Sequence, residues 1–190
     1  MTAPGPQAIV IGASAGAVEA LGSILPSIPK GFRLPLVVVV HIPPDKHSLM
    51  AELFAAKCQV EVVEAEDKMP IEPGVIYFAP PDYHLLVEAD KTLSLTGDEP
   101  VLYSRPSIDV LFESAADAFG PHLIGLILTG ANQDGANGLA AIVKAGGTAI
   151  VQDPQTAFAA AMPEAAIKAC PQARVLALPE VVNFLRELET

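Results

Sequence analysis

The sequence predicts an α/β domain, a doubly wound and mostly parallel sheet flanked by helices in an α/β/α sandwich, with an antiparallel hairpin near residues 75–96. Three observations carry this. Apolar, β-branched runs at Ile9 to Ile11, Leu34 to Val40 and Leu123 to Leu128 lack the polar alternation of a solvated sheet, as strands buried on both faces do. Helical spacing of apolar residues follows the first and third runs directly, and the second after a short polar segment. Strands alternating with helices imply parallel pairing through right-handed crossovers. At 190 residues, 51% hydrophobic and 17% charged, the chain has the size and composition of one compact domain over 1–190.

In order, Ile9-Val10-Ile11-Gly12-Ala13-Ser14-Ala15-Gly16 reads as a strand, a tight turn and the mouth of a helix whose apolar positions are Val18, Leu21 and Leu25. Met1 to Pro6 are expected to be flexible, and Pro26 to Pro29 close this first unit. The strand from Leu34 to Val40 ends at His41-Ile42-Pro43-Pro44. Leu49, Leu53 and Phe54 place a helix within Lys46 to Lys57, followed by a short strand, Val60 to Val63. Prolines then punctuate short runs at Val75 to Phe78, His84 to Val87 and Thr92 to Leu95. Leu85 to Leu93 has the form of a hairpin with a polar turn, so this stretch is expected to leave the parallel sheet. Ser107 has the position of an N-cap for a helix through Val110, Leu111, Ala115 and Phe119, stopped by Gly120-Pro121. The third buried run leads into Thr129 to Gly135, and its helix (Leu139, Ile142, Val143) ends at Gly146-Gly147. A strand from Thr148 to Val151, an alanine-rich helix interrupted by Met162-Pro163, a strand from Val175 to Leu178 and a helix from Pro179 complete the chain.

Ligands and chemistry in parallel sheets sit beyond the carboxyl ends of the strands. There the three most buried runs place Ser14, His41 and Asp134, a hydroxyl, an imidazole and a carboxylate. A serine hydroxyl needs a base to take its proton as it attacks an ester, and a carboxylate fixes the tautomer of that base. Backbone N–H groups after the serine suit a developing oxyanion. Each residue also has a purely structural reading: Ser14 as an N-cap, His41 as a strand end bonded to backbone, Asp134 before Gly135 as a turn or cap residue. Asp45, Asp82, Asp109 and Asp153 are rival carboxylates, with Asp109 placed early in a helix. His47, His84 and His122 read as surface or turn residues, His84 being also a candidate for the cleft wall.

The glycine turn alone also suits a phosphate, but the dinucleotide fingerprint requires glycines where Ser14 and Ala17 stand and an acid where His41 stands. An α/β-hydrolase elbow requires the order Ser, acid, His, whereas this chain has Ser, His, Asp. No metal-ligand spacing is present, and no cofactor is expected; Cys58 and Cys170 read as reduced thiols. The net charge of −11 argues against nucleic acid or an anionic membrane as partner. No run reaches the roughly 18 apolar residues of a membrane span. The start of the chain lacks a secretory signal, so a cytoplasmic location is expected.

Several stretches occur together in order: Gly12 to Gly16, His41 to Pro44, Ala79-Pro80-Pro81-Asp82-Tyr83-His84, Arg105 to Phe112, Leu128 to Gly135, Gln152-Asp153-Pro154 and Met162-Pro163-Glu164-Ala165. In these motifs nearly the whole chain resembles the catalytic domain of the CheB-type protein-glutamate methylesterases of bacterial chemotaxis. The resemblance implies a Ser14–His41–Asp134 triad hydrolysing glutamate methyl esters on chemoreceptors, and in many members deamidating receptor glutamines. It also points to Ala15, Gly16, Ala131, Asn132 and Met162 as oxyanion or cleft residues. The family usually has Gly-Ala-Ser-Thr-Gly-Gly at the nucleophile, where this chain has Ala15 and Ala17. Many members have Met-Gly where it has Ala131-Asn132. With few residues before its first strand, the chain looks like a stand-alone form without the regulatory receiver domain. Its expected partners are a methylated chemoreceptor or other methylated protein, a methyltransferase, or a separate response regulator. The alternative reading is a non-catalytic or differently specific homologue serving as a scaffold in a signalling complex.

Overall fold

The computed structural model describes residues 5–42 and 49–188. Asp45, His47, the beginning of the helix expected from Lys46, and Met1 to Pro4 of the expected flexible start lie outside the described residues. Seven strands form one parallel sheet: β1 (Ala8–Ala13), β2 (Leu36–Val40), β3 (Glu61–Glu64), β4 (Val75–Phe78), β7 (Leu123–Ile127), β8 (Thr148–Gln152) and β9 (Arg174–Leu176). Their spatial order is β3-β4-β2-β1-β7-β8-β9. β5 (His84–Val87) and β6 (Leu93–Thr96) pair antiparallel as a separate hairpin. The helices are α1 (Ala17–Ile24), α2 (Met50–Ala55), α3 (Ile108–Phe119), α4 (Ala136–Lys144), α5 (Ala161–Ala169) and α6 (Leu178–Glu187).

Alternation along β1 divides the core. Ile9 and Ile11 point to the face covered by α1, α2 and α6, where they join Leu21, Phe54, Leu126 and Val181. Val10 points to the other face, among Ile108, Phe112, Leu139 and Ile142 of α3 and α4. On that face the sheet is cut back to glycine at two places. A Cβ on Gly12 would collide with Ile108, and one on Gly125 would lie 2.6 Å from Ile142 Cδ1. These glycines let α3 and α4 approach the backbones of β1 and β7 closely. Strand order reverses between β1 and β7, so the crevice at their carboxyl ends is the switch point where such sheets place their sites.

Three expectations change. Val75 to Phe78 do not belong to the antiparallel excursion: β4 is an interior parallel strand between β3 and β2, and all four residues are buried. Only the hairpin His84–Val87 with Leu93–Thr96 leaves the sheet. Met162-Pro163 does not interrupt a helix but begins one, because Pro163 falls in the first turn of α5, where its missing N–H leaves no intrahelical bond unmade. Val18, expected on the packed stripe of α1, is 49% exposed, while Leu21 is buried.

Candidate active site

Ser14 follows β1 on the turn into α1, and it is not the cap of that helix. Gly16 occupies the N-cap position with φ 83°, a left-handed conformation that favours glycine. The turn is clamped from the neighbouring strand end. The Ser14 N–H donates to the Thr129 carbonyl (2.9 Å), and Thr129 Oγ1 donates to the Ala15 carbonyl (2.8 Å). The N–H of Thr129 in turn donates to Gln152 Oε1 (3.0 Å), so the ends of β1, β7 and β8 are tied together around this serine.

His41 is the first residue beyond β2, and its N–H donates to the Ala13 carbonyl at 3.1 Å, continuing the β1–β2 ladder. Its ring Nε2 lies 2.7 Å from Asp134 Oδ2. Asp134 is fully buried and sits at the N-terminus of α3, where Ser107 Oγ (2.9 Å), the Ile108 N–H (2.7 Å) and the Asp109 N–H (3.0 Å) all donate to it. A helix N-terminus is a natural seat for an anion. Asn132 Oδ1 accepts the Asp134 N–H at 3.0 Å, a local turn that aims the carboxylate inward. Burial alone would push the Asp134 carboxyl up. The hydrogen bonds from His41, Asp109 and Ile108 outweigh it and hold the group below its ordinary value. An ionised carboxylate only accepts, so the proton of His41 belongs on Nε2 and the lone pair on Nδ1.

Among the rivals, Asp109 lies in the first turn of α3, and its Oδ1 accepts the N–H groups of Gly135 (3.0 Å) and Gly138 (2.7 Å). Burial pushes its carboxyl up to about 6, with the Gly138 N–H opposing and the Asp134 charge adding to the rise. Asp82 pairs with Arg105 at 2.6 Å, and Asp153 caps a short turn through the Gln155 N–H. His84 is neither a surface nor a cleft residue. It is 1% exposed; Nδ1 accepts the Ser107 N–H (3.1 Å) and Nε2 donates to the Glu99 carbonyl (3.0 Å). It props the residue that caps α3: Ser107 Oγ also accepts the Val110 N–H, as expected of an N-cap.

Ser14 and His41 line one cleft of about 630 Å³, whose walls include Val18, Ile42, Met50 and Phe158. Phe158 is 80% exposed and covers Gly16, where a Cβ would come within 2.6 Å of the Phe158 Cβ. The N–H groups of Ala15, Gly16, Ala131 and Asn132 make no hydrogen bond among the described residues. The Met162 N–H is already given to the Gly130 carbonyl (3.0 Å), and its side chain is buried against Gly130. The arrangement thus joins a hydroxyl, an imidazole tied to a buried carboxylate, and backbone donors uncommitted among the described residues, the components of acyl transfer through a serine. Sequence reasoning missed Phe158, which sits in an alanine-rich stretch with no periodic signal. It also missed Thr129, whose role depends on a hydrogen bond across 114 residues.

Residues 9–185 match the family model described as CheB methylesterase. A protein of Leptospira interrogans is 47% identical over 96% of this chain and 95% of its own length. Two proteins named protein-glutamate methylesterase/protein-glutamine glutaminase are similar over about half of their length. That of a Nocardioides species is 40% identical, covering 93% of this chain and 49% of its own. That of Azospirillum brasilense is 36% identical, covering 96% and 47%. The crystal structure of the Thermotoga maritima CheB methylesterase catalytic domain superposes with a TM-score of 0.92 at 33% identity, over 97% of this chain and all of that one. The chain belongs to the CheB methylesterase family.

Proposed function

We propose that the protein is a serine hydrolase that removes methyl esters from glutamate side chains of a protein substrate, with Ser14 as nucleophile, His41 as general base and Asp134 as the residue that orients it. The observation that carries this reading is the 2.7 Å bond between His41 and the buried Asp134 at a cleft that Ser14 also lines. As Ser14 Oγ attacks the ester carbonyl, His41 Nδ1 takes its proton, and the imidazolium is stabilised by Asp134. The tetrahedral oxyanion is received by N–H groups from among Ala15, Gly16, Ala131 and Asn132. Collapse expels methoxide, which leaves as methanol with the proton from His41. Water, deprotonated by the same nitrogen, then releases the glutamate. A glutamine side chain taken through these steps loses ammonia instead.

The family implies a methylated chemoreceptor as substrate, in the cytoplasm, with a methyltransferase or a separate response regulator as further partners. Ala15 and Ala17 present no side-chain hydroxyl beside Ser14. Recognition of the ester in this reading therefore relies on backbone donors and on the apolar walls at Val18, Met50 and Phe158. The test is methanol release from a methylated receptor fragment, paired with an active-site serine probe read by intact mass. Wild-type protein is expected to release methanol and carry the probe on Ser14. Ser14→Ala is expected to lose at least about a thousandfold in rate. Equal methanol release by both proteins would overturn the catalytic assignment, and an inert wild type that still retains the receptor fragment would favour a scaffold.

A further inference from the structure

Two carboxylates lie side by side behind His41, and each caps the helix attached to the other. Asp134, just before α4, accepts the N–H groups of Ile108 and Asp109 at the start of α3. Asp109, in the first turn of α3, accepts the N–H groups of Gly135 and Gly138 at the start of α4 through its Oδ1. Asp109 is 4% exposed, and Gly135, the residue it grips, is joined directly to Asp134 and held at φ 101°. The cross-linking is reciprocal: neither helix start can shift without disturbing a bond to the opposite carboxylate.

We propose that Asp109 is a positioning residue for the hydrolysis, holding the Asp134–Gly135 peptide so that the Asp134 carboxylate stays in line with His41 Nε2. This rests on the assignment of Ser14, His41 and Asp134 made above. A cap satisfies helix-start N–H groups in either role, but one of the two that Asp109 holds belongs to Gly135, the residue bonded to Asp134. Without that acceptor the left-handed Gly135 turn loses its tether, and a carboxylate displaced by an ångström orients an imidazole poorly. The charged groups around Asp109 are Asp134 on the facing loop, Glu113 one turn along α3, Lys168 of α5 across a shared cavity, and His41 beyond Asp134.

The test compares wild type, Asp109→Ala and Asp109→Asn by kcat and KM on a methylated receptor fragment, and by the downfield proton resonance of the His41 Nε2–H. Asp109→Ala is expected to lose about tenfold or more in kcat with KM little changed, and to shift or broaden that resonance. Asp109→Asn keeps an oxygen acceptor. It is expected to restore the resonance and all but about threefold of kcat. Wild-type kcat and an unmoved resonance in Asp109→Ala would overturn the proposal, as would a kcat loss in Asp109→Asn equal to that of the alanine variant. Should Asp109→Ala fail to fold, the asparagine variant decides alone: a displaced resonance, or a kcat loss of about tenfold or more in it, would overturn the proposal. The resonance is read without turnover. Failure of the Ser14 assignment would therefore appear as methanol release surviving Ser14→Ala, independently of what Asp109 does to His41.

Discussion

Asp134 serves four donors: His41, Ser107 and the N–H groups of Ile108 and Asp109. An amide has one acceptor oxygen and adds two donors of its own, so Asp134→Asn faces some of these donors with an N–H group. We expect kcat to fall by roughly 10⁴ through the wrong imidazole tautomer. Stability is expected to fall by about 1–3 kcal/mol through the unpaired donors. Steady-state kinetics and urea denaturation of the same preparation check both. Asp109 makes the opposite contribution to pH dependence. Its carboxyl stands at about 6 in the fold, against an ordinary value of 3.8. The folded state therefore holds its proton more tightly than the unfolded chain, and this contribution favours folding below pH 4 and is lost as pH rises through 6. The difference corresponds to on the order of 3 kcal/mol. Urea midpoints at pH 4 and pH 7 are expected to show wild type losing stability relative to Asp109→Asn over that interval. Equal pH dependence in the two proteins would contradict it.

At the scale of the element, glycine decides where helices meet strands. Gly12 and Ile108 are in contact at the point where α3 crosses β1, and Ile108 is also the residue whose N–H holds Asp134. Gly12→Ala inserts a methyl group into that contact and is expected to cost about 1–3 kcal/mol, read as a lower denaturant midpoint with unchanged slope. The N-cap at Ser107 was legible because capping is local: a serine ahead of an apolar periodic run satisfies N–H groups only three residues away. The exposure of Val18 was not legible. Helical periodicity marks it as apolar and on the stripe, and only the position of the cleft leaves it facing outward. Pro163 is a related case. A proline is permitted in the first turn of a helix and disruptive later, so its meaning depends on a helix start that the alanine run does not mark.

Across the whole molecule, two packed faces hold the strand ends in register. Phe112 is fully buried between α3 and the sheet, and its ring faces Gly125 while its Cβ faces Gly138. Phe112→Ala is expected to cost about 3–5 kcal/mol. Because α3 carries the donors to Asp134, activity and tryptic resistance are expected to be lost together on heating. Survival of activity beyond the structural transition would show that the site does not depend on this packing.

The sequence by itself determined the α/β class, the parallel pairing and the placement of Ser14, His41 and Asp134 beyond the ends of three buried strands, because burial on both faces and polar strand termini are written in local order. It could not place β4, since a four-residue apolar run reads alike in a hairpin or a sheet interior, and only the pairing partners on either side distinguish them. It named Asp134 as the acid but kept Asp109 as a rival, and only the fold shows what each of the two faces. Asp109 and Asp134 are 25 residues apart in the chain, yet one faces His41 and the other faces the backbone behind it. That difference arises where α3 and α4 pack against each other, a contact that neither segment specifies alone.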